Sequence, residues 1–111
     1  WFVRSKEPGG GGIAGETAGE EFERPMPTIS AFFGIVIRMY YDDHAPPHFH
    51  AYYAEHHAAI LTDTLEVHEG ALPRRALALV LEWAVEHREE LRENWNLAAR
   101  HEPLKGIVPL S

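Results

Sequence analysis

Hydrophobic and polar positions alternate over Ala31–Tyr41, a stretch rich in β-branched and aromatic side chains. This composition, together with the period of two, predicts a β-strand. One face of the strand is wholly apolar or aromatic, whereas the opposite face carries Gly34, Arg38 and Tyr40. We therefore expect the apolar face to cover a hydrophobic core and the other face to be partly solvated.

Three further strands are predicted after a turn at residues 42–47, where two consecutive prolines end the hydrogen-bond ladder. The second strand is His48–Tyr53 and the third is His57–Thr62, because both stretches keep the same alternation. Leu65–Glu69 is a short fourth candidate, which Gly70 is expected to close. The first part of the domain is therefore predicted to be a small antiparallel sheet of three to four strands.

The helical period begins near Pro73, a residue favoured at the first turn of a helix, and continues to Arg100. A pattern this long predicts a bend or break near residues 87–89. Together with the sheet, it gives an α+β fold that ends in a long, broken amphipathic helical segment. The predicted buried stripe consists of Leu77, Val80, Leu81, Ala84, Leu91 and Trp95.

The first 25 residues differ from the remainder of the chain. They are rich in glycine and glutamate, including the run Gly9–Gly12, and they show neither a strand period nor a helix period. Such a composition is typical of flexible linkers. Residues 1–25 are therefore predicted to be a flexible tail outside the native domain, and residues 26–111 a single compact α+β domain.

Composition narrows the possible functions of this 111-residue chain. It contains no cysteine, which excludes a disulfide framework and zinc sites made of thiolates. The formal charge of −7 is unlike that of most nucleic-acid-binding domains, so we expect contact with nucleic acid only through a partner. No apolar run approaches the roughly 18 residues that cross a bilayer. These features predict a cytoplasmic protein with no membrane contact.

Three histidines, His44, His48 and His50, lie within seven residues. Strand alternation places His48 and His50 on one face, and the adjoining turn can bring His44 to them. Three imidazoles with one open position are a known arrangement for catalytic zinc, and Asp42 or Asp43 would complete or orient such a site. A divalent metal such as zinc is therefore a predicted cofactor. In the alternative interpretation, these histidines form a polar strand face bonded to the backbone and the helical layer.

A metal-free chemistry is also compatible with the pattern. His48 and His50 would act as general acid and base, and Arg38 or Tyr52 would stabilise an anion. Such a combination can in principle cleave RNA, although the acidic charge of the chain argues against this substrate.

Arg74 and Arg75 open the predicted helix, where the helix macrodipole disfavours cations. This placement identifies them as candidate anion-binding residues. The alternative is a solvated pair that compensates nearby carboxylates such as Glu66 and Glu69.

The segment Asp43–His50, Asp-His-Ala-Pro-Pro-His-Phe-His, resembles the hallmark of a widespread bacterial family of domains of unknown function, number 4160. Two later segments, Leu72–Leu77 and Glu89–Trp95, are similar to the helical half of that family. The resemblance covers about residues 26–110 and leaves the amino-terminal tail outside. It implies the fold class and a gene context in which a second small protein is often encoded alongside.

From this resemblance, the leading hypothesis is a protein-interaction module of a toxin–antitoxin-like gene pair, with a protein partner encoded by the neighbouring gene. The alternative is a histidine- or metal-dependent hydrolase or ribonuclease that uses His44, His48 and His50. An enzyme requires these side chains to converge in a pocket, whereas a binding module leaves them apart or individually hydrogen-bonded.

Overall fold

The computed structural model describes residues 27–41 and 43–111. The predicted tail and Asp42 lie outside the described residues. Within the described ranges, five strands are followed by two helices. They are β1 (Thr28–Phe32), β2 (Ile35–Arg38), β3 (His48–Tyr53), β4 (His56–Leu61), β5 (Val67–Ala71), α1 (Arg74–Glu86) and α2 (Arg88–Ala99).

Each strand pairs antiparallel with its neighbour in sequence, so the sheet order is β1-β2-β3-β4-β5. This arrangement confirms the predicted α+β class. The described residues contain one strand more than the three to four that the sequence predicted. None of the helices in the described ranges is long and apolar enough to span a bilayer.

The additional strand arises because the predicted strand Ala31–Tyr41 is interrupted by a tight turn at Phe33 and Gly34. Both residues have positive φ angles, 52° and 79°, and the flanking strands pair from Phe32 and Ile35 outward. Two central residues with positive φ define the hairpin turn whose twist matches that of its strands. Phe33 accordingly points outward and is 59% exposed, instead of joining the apolar face as predicted.

The hydrophobic core lies between one face of the sheet and the helices. Trp83 of α1 is fully buried, with ring centroids 5.4 Å from that of Phe32 and 6.0 Å from that of Phe49. Its indole N–H donates a hydrogen bond of 2.9 Å to the carbonyl oxygen of Val108. This indole therefore joins the sheet, the first helix and the carboxy-terminal segment.

The helical segment breaks at His87, where φ is −128°, between the end of α1 and the start of α2. This confirms the break predicted near residues 87–89. The segment after α2 returns to the domain: the buried side chain of Asn94 forms two 2.9 Å hydrogen bonds with the backbone of Lys105. The backbone N–H of Ile107 donates to the carbonyl oxygen of Ile29 at 2.7 Å.

The last strand differs in its bounds from the prediction. Leu65 is buried with a φ of 65° and precedes the strand, which begins at Val67. Gly70, expected to end the strand, lies within it at a φ of 76°. All five residues of β5 are exposed, and β5 is the last strand of the sheet among the described residues.

Candidate metal centre

Strand β3 separates the core from a cluster of histidines. Phe49 and Ala51 enter the core with no exposed surface, whereas His48 and His50 lie on the opposite face, as the alternation predicted. Both histidines are nonetheless buried, with 7% and 9% of their surface exposed. Two imidazoles withdrawn from water need polar partners, because an unpaired buried ring nitrogen is costly.

Asp43, in the loop before β3, provides the shared partner. One carboxylate oxygen of Asp43, Oδ2, lies 3.0 Å from Nε2 of His48 and 3.0 Å from Nε2 of His50. The ligand atoms of these three residues lie within 4.8 Å of one another, the spacing expected of side chains that hold one metal ion. Among the His, Asp and Glu side chains of the described residues, this is the group of three whose ligand atoms come this close together.

The hydrogen bond at the other ring nitrogen of His48 determines which of its two nitrogens carries the proton. Nδ1 of His48 lies 2.7 Å from the carbonyl oxygen of Pro46, which can only accept a hydrogen bond. Nδ1 therefore carries the proton, and a neutral His48 turns the lone pair of Nε2 toward the carboxylate of Asp43. The lone pairs of Nε2 of His48 and Oδ2 of Asp43, 3.0 Å apart, repel each other unless a proton or a metal cation lies between the two atoms.

His50 is oriented by a second histidine on the adjacent strand. Nδ1 of His50 lies 2.9 Å from Nε2 of His57, and the two ring planes differ by only 9°. The ring of Tyr52 stacks on His57 at 4.6 Å, and its hydroxyl is hydrogen-bonded to that of Tyr40. A hydrogen-bonded partner on the outer nitrogen is the usual support for a metal-ligating histidine.

The protonation states also suit metal ligation. Burial alone raises the pKa of the Asp43 carboxyl. The hydrogen bond to His50, the positive charge of His48 in its protonated form and the backbone N–H of His44 together hold this pKa below its usual value. Burial lowers the pKa of His50, and its hydrogen bond to Asp43 opposes this only in part. Near neutral pH, both effects favour an ionised carboxylate and a neutral imidazole, which are the forms that bind metals.

Comparison with protein families places the chain in one of them. Residues 34–96, more than half of the chain, match the family described as Domain of unknown function (DUF4160). The chain belongs to this family. The matched range runs from the turn of the first hairpin to α2, and so contains Asp43, His48, His50 and His57. No match was found among curated proteins or among solved structures.

The remaining candidates in this DUF4160 protein fall into two places. Arg38 pairs across the strands with His50, and its guanidinium lies 5.5 Å from the ring centroid of Tyr52, so both predicted binding residues border the histidine cluster. Burial and the hydrogen bond to Tyr40 raise the pKa of Tyr52, which keeps its hydroxyl protonated. Arg74 and Arg75 are exposed in the first turn of α1.

His44 takes a different position from the one that the sequence suggested. Its backbone N–H donates to Oδ1 of Asp43 at 3.1 Å, and the residue is exposed. The three side chains that converge in this DUF4160 protein, and that could hold a metal ion, are therefore Asp43, His48 and His50, and His44 is not among them. Metal binding by His44 itself stays a prediction.

Helix α2 closes one side of the cluster. The ring of Trp95 lies 5.2 Å from that of His48, so this tryptophan packs on the site as well as near the core. Beside Asp43 is a cavity of about 20 Å³, lined by Tyr40, Trp95, Ala98 and Ala99. This volume is enough for about one water molecule.

Sequence reasoning did not select His57, which supports the site from the neighbouring strand. In the sequence it reads as one of two adjacent surface histidines, His56 and His57. The register pairs His57 with Tyr52 and thereby brings it to the face of His50. The alternation of strand β4 could have indicated the face on which His57 lies. It identifies His57 as a neighbour of His50 only when the pairing of β3 with β4 is known.

Proposed function

We propose that this protein binds a divalent transition-metal ion of the zinc type through Oδ2 of Asp43, Nε2 of His48 and Nε2 of His50. The observation that carries the proposal is the approach of both Nε2 atoms to the same carboxylate oxygen at 3.0 Å. A metal–ligand distance of about 2.0–2.1 Å places neighbouring ligand atoms about 2.9–3.4 Å apart. Both distances to Oδ2 of Asp43 lie in this range, and the ligand atoms of all three groups lie within 4.8 Å of one another.

The hydrogen bonds around the ligands support the same assignment. The Nδ1–H of His48 donates to the carbonyl oxygen of Pro46, and a metal on Nε2 of His50 would leave its Nδ1–H to donate to His57. Without a metal, the proton between His50 and His57 would instead be donated by His57, so that His50 can donate to Asp43. The cluster accommodates either direction without moving a heavy atom.

Two imidazoles and a carboxylate form the ligand set of several hydrolytic zinc enzymes, in which the fourth position holds water or substrate. A bound zinc ion would lower the pKa of that water and polarise a carbonyl or phosphoryl group. Arg38 and Tyr52 border the cluster and would bind the anionic part of a substrate. In this version of the hydrolase or ribonuclease hypothesis, the metal is held by Asp43, His48 and His50, and Asp43 takes the role that the sequence suggested for His44.

The decisive experiment is metal titration of the purified full chain with Zn²⁺ and Mn²⁺, measured by calorimetry and by elemental analysis. We expect stoichiometric binding by the unaltered protein and loss of at least a hundredfold in affinity for Asp43→Ala, His48→Ala and His50→Ala, since each removes a ligand. This factor corresponds to about 2.7 kcal/mol of binding free energy.

His44→Ala and His56→Ala are the matched controls, because both histidines are more exposed than the ligands and neither belongs to the convergent group. They should bind the metal as the unaltered protein does. Binding that all five variants retain, or that the unaltered chain lacks, would contradict the proposal. A screen of phosphodiester and ester hydrolysis with the loaded protein then tests the enzymatic hypothesis.

We also propose the interaction module as a second candidate, and strand β5 favours it. All five residues of this strand are exposed at the end of the sheet among the described residues, and Val67 is 40% exposed. Exposed sheet edges bind extended segments of other proteins by adding a strand. The partner expected from the family resemblance is the product of the neighbouring gene.

Co-expression of the two proteins, followed by size-exclusion chromatography, checks this candidate. We expect a complex that Val67→Asp disrupts, because a charge at the edge opposes strand addition. Val85→Asp is the control, since Val85 is 57% exposed on α1, away from this edge. Separate elution of the two unaltered proteins, or equal loss of the complex with both variants, would contradict strand addition at β5.

A further inference from the structure

His68 is the extra residue of a β-bulge. In the pairing of β4 with β5, Ala59 lies opposite Glu69 and Ile60 lies opposite Val67, which leaves His68 without a partner residue on β4. Bulges bend a strand and redirect a side chain, and they are frequent beside functional sites. A regular strand would have pointed the side chains of His68 and Glu69 to opposite faces.

The bulge brings His68 to the histidine cluster. The ring centroids of His68 and His48 are 6.3 Å apart, with an angle of 40° between the planes. For comparison, the rings of His48 and His50, which converge on Asp43, have centroids 5.0 Å apart. His68 is therefore the next imidazole beyond the convergent group on the side of β5.

Two imidazoles that share a tetrahedral ion have ring centroids about 5 Å apart, because each centroid lies about 3.2 Å from the ion. The pair His48–His50 already satisfies this spacing, and the pair His48–His68 exceeds it by about 1 Å. His68 is exposed, so its side chain can rotate by this amount on a nanosecond timescale.

We propose that His68 supplies the fourth ligand of the metal centre formed by Asp43, His48 and His50. This inference rests on the proposed metal binding and extends it from the loop and β3 to the last strand of the sheet. The ion would then join strands β3 and β5, which have β4 between them and no direct pairing.

A fourth protein ligand changes the chemistry of the centre. Four protein ligands are characteristic of structural zinc sites, whereas catalytic sites keep one position for water. Hydrolysis at this centre would require a substrate or water to displace His68. The exposed position of His68 makes it the ligand of the four that is easiest to displace.

The test compares His68→Ala and His68→Gln with the unaltered full chain. Zn²⁺ affinity is measured by competition with a chromophoric chelator, and the ligand field is measured from the visible absorption of the Co²⁺-loaded protein. We expect both variants to bind Zn²⁺ at least tenfold more weakly than the unaltered chain. Loss of even an outer-shell partner lowers metal affinity about tenfold to a hundredfold, and loss of a ligand should cost no less. The Co²⁺ bands should also shift, since water replaces a ring nitrogen.

His56→Ala is the control for removal of a partly exposed histidine outside the convergent group, and it should change neither the affinity nor the bands. Thermal unfolding of the metal-free proteins should be the same for all, which separates loss of a ligand from loss of the fold. Unchanged affinity and bands in both His68 variants would overturn the inference and leave the three-ligand centre intact. Absence of binding by the unaltered chain would instead overturn the metal centre as a whole.

Discussion

Replacing Trp83 by alanine is expected to destabilise the protein by about 3–5 kcal/mol, the range found for truncation of buried aromatic side chains. Trp83 has no exposed surface and packs against Phe32 and Phe49. Its loss would leave a large cavity between α1 and the sheet. It would also remove the donor to the carbonyl oxygen of Val108. Because small domains are stable by only about 5–15 kcal/mol, much of the variant should be unfolded at moderate urea concentrations.

Urea denaturation followed by far-ultraviolet circular dichroism measures this change without relying on tryptophan fluorescence. Trp83→Phe should lower the free energy of unfolding less than Trp83→Ala does. It keeps a ring in the core and loses only part of the packing and the N–H donor. Val85→Ala on the same helix should stay within about 0.5 kcal/mol, because this valine is largely exposed. Equal midpoints for Trp83→Ala and Val85→Ala would show that the core does not depend on the indole.

Replacing Gly70 by alanine is expected to lower the free energy of unfolding by about 2–5 kcal/mol. The φ of Gly70 is 76°, a conformation that costs a residue with a Cβ roughly 1–2 kcal/mol. A Cβ at this position would lie only 2.2 Å from the carbonyl oxygen of His57, so the backbone of β4 or β5 must move. Such overpacking typically adds about 1–3 kcal/mol.

Gly106→Ala is the matched control, because a Cβ on Gly106 meets no atom within 4 Å. Thermal and urea unfolding of the two variants should therefore differ clearly, with Gly106→Ala close to the unaltered protein. Hydrogen exchange should locate the effect of Gly70→Ala in the pairing of β4 with β5. Similar stability of the two variants would mean that β5 adjusts to the added methyl group at no cost.

Periodic segments of the sequence predicted their structure well. His48–Tyr53 forms the strand that its alternation indicated, with histidines on one face and core residues on the other. The break at His87 was also predictable, since a continuous helical pattern from Pro73 to Arg100 is longer than globular helices usually are. These predictions succeeded because each rests on side chains within a few positions of one another.

Features that depend on unusual backbone angles or on strand register were not predicted. The turn at Phe33 and Gly34 has a phenylalanine where asparagine or glycine is normal, so the hairpin carried little turn signal. Asp43 was one of two candidate carboxylates in the turn, and its approach to His48 and His50 depends on the conformation of that loop. His57 and His68 reach the cluster through pairing and a bulge, which only the assembled sheet determines.

The simple order of the strands has a consequence for how the protein folds. Each of the five strands in the described ranges pairs with its neighbour along the chain, so this sheet can form by successive closure of short loops. Sequences dominated by such local contacts fold faster than those that must first join distant segments. Asp43, His48 and His50 lie within eight positions of one another, so this part of the cluster can assemble with a single hairpin. A metal ion that binds there would meet its first ligands before the helices have docked.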